Sequence, residues 1–141
     1  MYSDWDLRLA SFIEQVRLEP FSWGKNDCLT FANNAARAQR GHGFADEKLG
    51  VYSNATVALL RYGRLLKNSG YNDIIDAVDD SLTRIDTNYP SRGNIVAMPQ
   101  ADNKVLPFTF GVSVSQYCAF VADQGLVFLK PTNGFLYWGL E

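Results

Sequence analysis

The hydrophobic period changes once along this chain, and that change limits the fold more than any other feature. Up to about residue 80, apolar residues recur at helical spacing. From about residue 90 they alternate, or form short runs bounded by turn residues. Helices followed by strands, rather than interleaved with them, specify an α+β domain. With 141 residues the chain fits one domain over 1–141, a helical half of about 1–80 and a strand half of about 90–141. A domain of this size buries roughly 68–70% of the surface its unfolded chain exposes, so it needs no disulfide or metal to hold it.

In the first half, Trp5, Leu9, Phe12, Ile13 and Val16 form one stripe, predicting a helix from Asp4 to about Leu18 with Ser3 as N-cap. Pro20 and Gly24 break the chain. A second helix starts behind Asp27, a good N-cap, and runs to about Arg40 before Gly41. Its face of Cys28, Phe31, Ala32, Ala35 and Ala36 is mostly small, which allows close approach of a neighbour. A third helix is expected over about Ala55–Asn68 behind Asn54, and a short fourth after Asn72 with Ile74, Ile75 and Val78 apolar. In the second half, runs near 93–98, 108–115, 117–121, 125–130 and 135–138 read as four or five short antiparallel strands, a meander or small barrel. Asp123-Gln124-Gly125 reads as a hairpin turn.

Charge and cysteine content exclude several classes. A net charge of −2 and the absence of any run of five like charges argue against a nucleic-acid partner. No stretch approaches the length of a membrane span, and residues 1–20 lack the apolar core of a signal peptide. Two cysteines, Cys28 and Cys118, make no disulfide framework and read as free thiols in a cytoplasm. One histidine and two distant cysteines supply no metal site, and no phosphate-binding glycine motif occurs, so neither metal nor cofactor is expected. Asp73, Asp76, Asp79 and Asp80 recur at helical spacing and read as a solvated acidic face.

The stretch that bears chemistry is Phe21-Ser22-Trp23-Gly24-Lys25-Asn26-Asp27-Cys28-Leu29-Thr30-Phe31. It sets Cys28 in the first turn of a helix, where free backbone N–H groups and the positive end of the helix dipole favour an anion. A thiolate is such an anion, so Cys28 is the candidate nucleophile. Read from position alone, a cysteine on a small-residue face is more often an inert core residue.

Trp23-Gly24-x-x-Asp27-Cys28-x-x-Phe31 resembles the nucleophile segment of the NlpC-type papain-like cysteine peptidases. The whole chain resembles a phage-encoded branch of that superfamily, of unknown function, found among tail genes. The opening amphipathic helix, the turn at Gly50-Val51-Tyr52, Gly93-Asn94-Ile95-Val96, Gly111-Val112-x-Val114, Gly125-Leu126 and Trp138 carry the rest of the likeness. It implies N-terminal helices, with the nucleophile, packed on an antiparallel sheet. Active relatives hydrolyse amide bonds in cell-wall peptides with a histidine at the start of the second or third core strand. By chain order that place falls near Phe110-Gly111, and neither residue can accept a proton.

No other residue replaces that base. His42 lies beyond the far end of the Cys28 helix, roughly 20 Å away, whereas a base must come within about 3 Å of its proton. Asp27 caps the helix and, as a neighbouring carboxylate, raises the thiol pKa. Lys25 is a poor base at neutral pH, and Cys118 reads as a core residue. The expected function is therefore that of a non-catalytic structural or assembly protein, and the resemblance implies a bacteriophage tail component on a degenerate papain-like fold. Made in the host cytoplasm, it would end in the virion, with tail subunits as partners. Phe135, Tyr137 and Trp138 of the last strand are the expected contact surface. The alternative is an active cysteine peptidase or amidase cleaving cell-wall peptides through Cys28, with a base supplied by a neighbouring subunit.

Overall fold

The computed structural model describes residues 1–46, 55–100 and 107–141. Four helices precede six strands: α1 (Trp5–Val16), α2 (Cys28–Arg40), α3 (Ala55–Ser69) and α4 (Ile74–Ser81), then β1 (Thr83–Ile85), β2 (Ile95–Pro99), β3 (Phe108–Ser113), β4 (Cys118–Ala122), β5 (Gly125–Leu129) and β6 (Leu136–Gly139). The architecture is α+β, with six strands where the sequence pattern gave four or five. The additional strand is β1, whose three mostly exposed residues carry no alternation to detect. It exists because Thr83, Arg84 and Ile85 pair with Gly139, Trp138 and Tyr137 of β6.

All pairings are antiparallel, in the order β1-β6-β2-β3-β4-β5. Strands β2 to β5 form a meander, and β6 returns to lie between β1 and β2. Asp123 and Gln124 make the tight turn between the paired Ala122 and Gly125. The Gly50-Val51-Tyr52 turn and the Asn54 cap lie outside the described residues.

Two helix starts differ from the sequence expectation. Asp4, not Ser3, occupies the N-cap of α1 without a side-chain cap bond; its carboxylate instead accepts from Arg8 Nε at 2.8 Å. Asp73 caps α4 by accepting from Asp76 N at 2.9 Å. Helix α2 begins behind Asp27 and ends at Gly41, whose φ of 88° is the left-handed cap that glycine adopts most easily.

One sheet face packs on the helices. Phe31 and Ala35 of α2 meet Leu9, Val112, Ala119 and Val121. Leu29, Ala32 and Ala36 join Ile95, Ala97, Phe110 and Trp138. Helix α1 contributes Leu9, fully buried, with Trp5, Phe12, Ile13 and Val16 partly buried around it. The small residues of α2 let its backbone approach β3 closely, which brings the helix N-terminus down onto the sheet.

The opposite face has its own core of Val96, Cys118, Phe120 and Tyr137, flanked by Ile85, Met98 and Phe135. Tyr137 and Trp138 are 2% and 0% exposed, and Phe135 stands edge-on to Phe120 at 6.2 Å. Tyr137 and Trp138 are thus core residues rather than a contact surface, and Phe135, just before β6, is partly buried. Strand β6 is paired on both edges, with β1 and β2, and its two faces are buried in the two clusters through Trp138 and Tyr137.

Gly111 sits at the crossing of β3 and β4. A Cβ there would run into the Ala119 carbonyl oxygen and the Phe120 ring. Phe120 fills the place a side chain on β3 would take. Gly111→Ala should therefore destabilise the fold by about 3 kcal/mol, the upper end of the usual cost of overpacking. The shift in urea midpoint measures it, and a change under about 1 kcal/mol would show that β4 yields without loss.

Candidate functional site

The site is built around the start of α2. Asp27 is 1% exposed and accepts two backbone hydrogen bonds, from Gly24 N at 2.8 Å and Thr30 N at 2.9 Å. The first fixes the turn before the helix and the second caps the helix. The turn is closed by Asn26 N and Lys25 N donating to Ser22 O at 2.7 and 3.2 Å. Buried Asn26 ties the segment back by donating to the Pro20 and Glu19 carbonyls. Phe21 N donates to Ala122 O at 3.0 Å, so the segment is anchored on β4.

Cys28 follows directly. It is partly buried and packs against the larger helix-side core together with Trp23, Phe44, Leu66, Phe108 and Leu136. The strand residue nearest its chemistry is Phe110, whose backbone N–H reaches the sulfur. Phe110 thus lies beside Cys28, its main chain against the thiol and its ring buried in the same cluster.

Electrostatics follow from those surroundings. Burial pushes the Cys28 thiol up to about 11, and the Asp27 carboxylate adds to the rise. The N–H groups of Phe110, Leu29 and Cys28 pull the other way without offsetting burial. With a pKa near 11, about one molecule in ten thousand carries a thiolate at neutral pH. Cys118, on the opposite face of the sheet, is also pushed to about 11 by burial.

His42 is exposed beyond the C-terminus of α2, a helix of 13 residues. The helix rise alone separates it from Cys28 by roughly 20 Å. Its carbonyl accepts from Arg40 Nε at 3.1 Å. Lys25 is exposed in the turn before Cys28. Among the described residues, no group of three His, Cys, Asp or Glu side chains is placed to hold a metal ion. No helix there is long and apolar enough to cross a membrane.

Several residues with structural duties gave no sequence signal. Asn33, 2% exposed, orders the chain after α2: its Oδ1 accepts from Phe44 N and Ala45 N, both at 2.8 Å. Gln39, 1% exposed, donates to Ala35 O and Gly93 O. Asp79 is not simply solvated, because it accepts from Trp138 Nε1 at 2.7 Å and pairs with Arg84 through both oxygens. The Arg84 guanidinium holds the Asp79 carboxyl below the usual carboxylate range. An amphipathic helix pattern cannot reveal a partner 59 residues away.

These features define an α+β domain with a capped, partly buried cysteine at a helix N-terminus, seated against an antiparallel sheet. The chain belongs to the DUF6950 family, a domain of unknown function, whose model matches residues 1–139. No curated protein and no solved structure matches it.

The thiol shifts give a pH dependence of stability. An ordinary thiol titrates near about 8.5, and both folded thiols titrate near about 11. Their contribution is whole below the ordinary value. Above it the unfolded chain releases protons the folded chain keeps, so stability falls as pH rises toward 11. A Cys28→Ala, Cys118→Ala variant should lose part of this alkaline slope in urea midpoints. In a Cys118→Ser background, alkylation of Cys28 should be negligible at neutral pH and rise steeply only toward pH 11. Fast labelling below neutral pH would reveal a stabilised thiolate and overturn the assignment.

Proposed function

We propose that this chain is a non-catalytic structural or assembly protein, a bacteriophage tail component built on a degenerate papain-like cysteine peptidase fold. One observation carries the reading. Beside Cys28, where a papain-like enzyme needs a base, stands the main chain of Phe110, and the thiol is held protonated by burial. General-base assistance is worth about 10²–10⁴-fold, so its loss together with a suppressed thiolate removes most of the chemistry. The phage and papain-like parts of the reading rest on the resemblance of the Trp23–Phe31 segment and the later glycine positions. A scaffold can outlive its chemistry because activity resides in the site, not the fold.

An assembly role also needs a surface. Strand β5 lies at the edge of the sheet, and Val127, Phe128 and Leu129 are each about two-fifths exposed, Phe128 at 41%. An edge strand leaves half of its backbone groups open to pairing with another chain. Of the outward groups, Leu126 N is already taken by Arg17 O at 2.9 Å, which leaves the Phe128 end open. A partner strand could add there by main-chain pairing.

The test is complementation of a tail-gene deletion. Cys28→Ala should restore particle assembly to the wild-type level, while Phe128→Asp, with an unchanged thermal melt, should not. Purified protein should release no amine from peptidoglycan stem peptides. Turnover of such peptides that Cys28→Ala abolishes would sink the scaffold reading and establish the peptidase.

A further inference from the structure

Helix α3 turns one face to the core. Ala58, Tyr62 and Leu66, spaced i, i+4 and i+8, pack into the helix-side core. The outer face of Val57, Leu60, Arg61, Arg64 and Asn68 lines a shallow groove. Val57 and Leu60 are 45% and 63% exposed. The sequence from Lys48 to Asn72 contains no carboxylate, and Arg61, Arg64 and Lys67 give the helix its charge. Among the described residues these three cations form no ion pair.

Helix α4 is the counterpart. Asp73, Asp76 and Asp80 fall at i, i+3 and i+7 on one side, with Ala77 between them. Asp79, one position round the helix, is already neutralised by Arg84. Along the axes, Arg61 to Lys67 spans about 9 Å and Asp73 to Asp80 about 10 Å. Three cations on one helix thus match three carboxylates on the next. The two helices are joined by residues 70–73, and among the described residues no ion pair links them.

We propose that the outer face of α3 docks on the acidic face of α4 in a second copy of this chain, forming a two-fold dimer. Because one protomer carries both faces side by side, a two-fold axis makes both contacts at once, and the interface closes on itself. Val57 and Leu60 supply apolar area, and arginine, as at 61 and 64, is among the residue types enriched at interface hot spots. The dimer deepens the assembly reading and depends on it only for its purpose, since the contact does not involve Cys28.

Charge reversal tests it by sedimentation equilibrium across a concentration series, at low and at molar salt. Wild type should dimerise, more weakly at high salt. Arg61→Glu with Arg64→Glu, or Asp76→Lys with Asp80→Lys, should each weaken self-association roughly tenfold or more at low salt. An equimolar mixture of the two variants should form heterodimers, a rescue that a merely misfolded variant cannot produce. Wild type that stays monomeric at low salt, or variants that dimerise unchanged, would overturn the dimer. So would capture of the monomer by heparin or by phosphatidylserine vesicles through Arg61 and Arg64. None of these results touches the assembly reading, which falls only if Cys28 proves catalytic or the tail assembles without the chain.

Discussion

The buried Asp27 carboxylate is the interaction on which the arrangement around Cys28 depends. Its two oxygens accept from the turn before α2 and from the first turn of the helix itself, so one side chain sets both where the helix starts and how the chain enters it. A capping carboxylate is stabilising there for two reasons: it satisfies otherwise orphaned N–H groups and it lies at the positive end of the dipole. Everything downstream follows from that start. The small face of α2 then meets β3, and Cys28 is carried to the backbone of Phe110.

The same cap works against thiol chemistry. The helix dipole favours an anion by about 0.3–1 kcal/mol, less than the 1.36 kcal/mol that moves a pKa by one. Burial, with the Asp27 charge next in the chain, outweighs it and leaves the thiol near 11. A helix N-terminus thus favours such a nucleophile without being sufficient for one. What converts position into reactivity is a proton acceptor with its own charge partner, and the strand beside Cys28 offers an amide.

The helices cover one face of the sheet and a second cluster forms on the other, so most large apolar side chains are covered. Among the described residues, single exposed ones such as Leu7, Leu18 and Tyr89 are scattered, while the β5 edge and the outer side of α3 each present more than one. A helix that used its whole hydrophobic complement inward would not leave Leu60 63% exposed.

By itself, the sequence determined the α+β class, the helix from Cys28 to Arg40, the glycine that ends it, and a run of short antiparallel strands in the second half. Each rests on local information: a period, a cap or a turn residue. Only the tertiary structure decided the rest. Strand β1 has no pattern of its own and is made by pairing with β6. Tyr137 and Trp138 look like surface aromatics in a short terminal run, yet the clusters on the two sides of the sheet bury them. Asp79 reads as one of a solvated set until Trp138 and Arg84 arrive from far along the chain. Burial, edge position and long-range partners are properties of the assembled layers, and no local spacing encodes them.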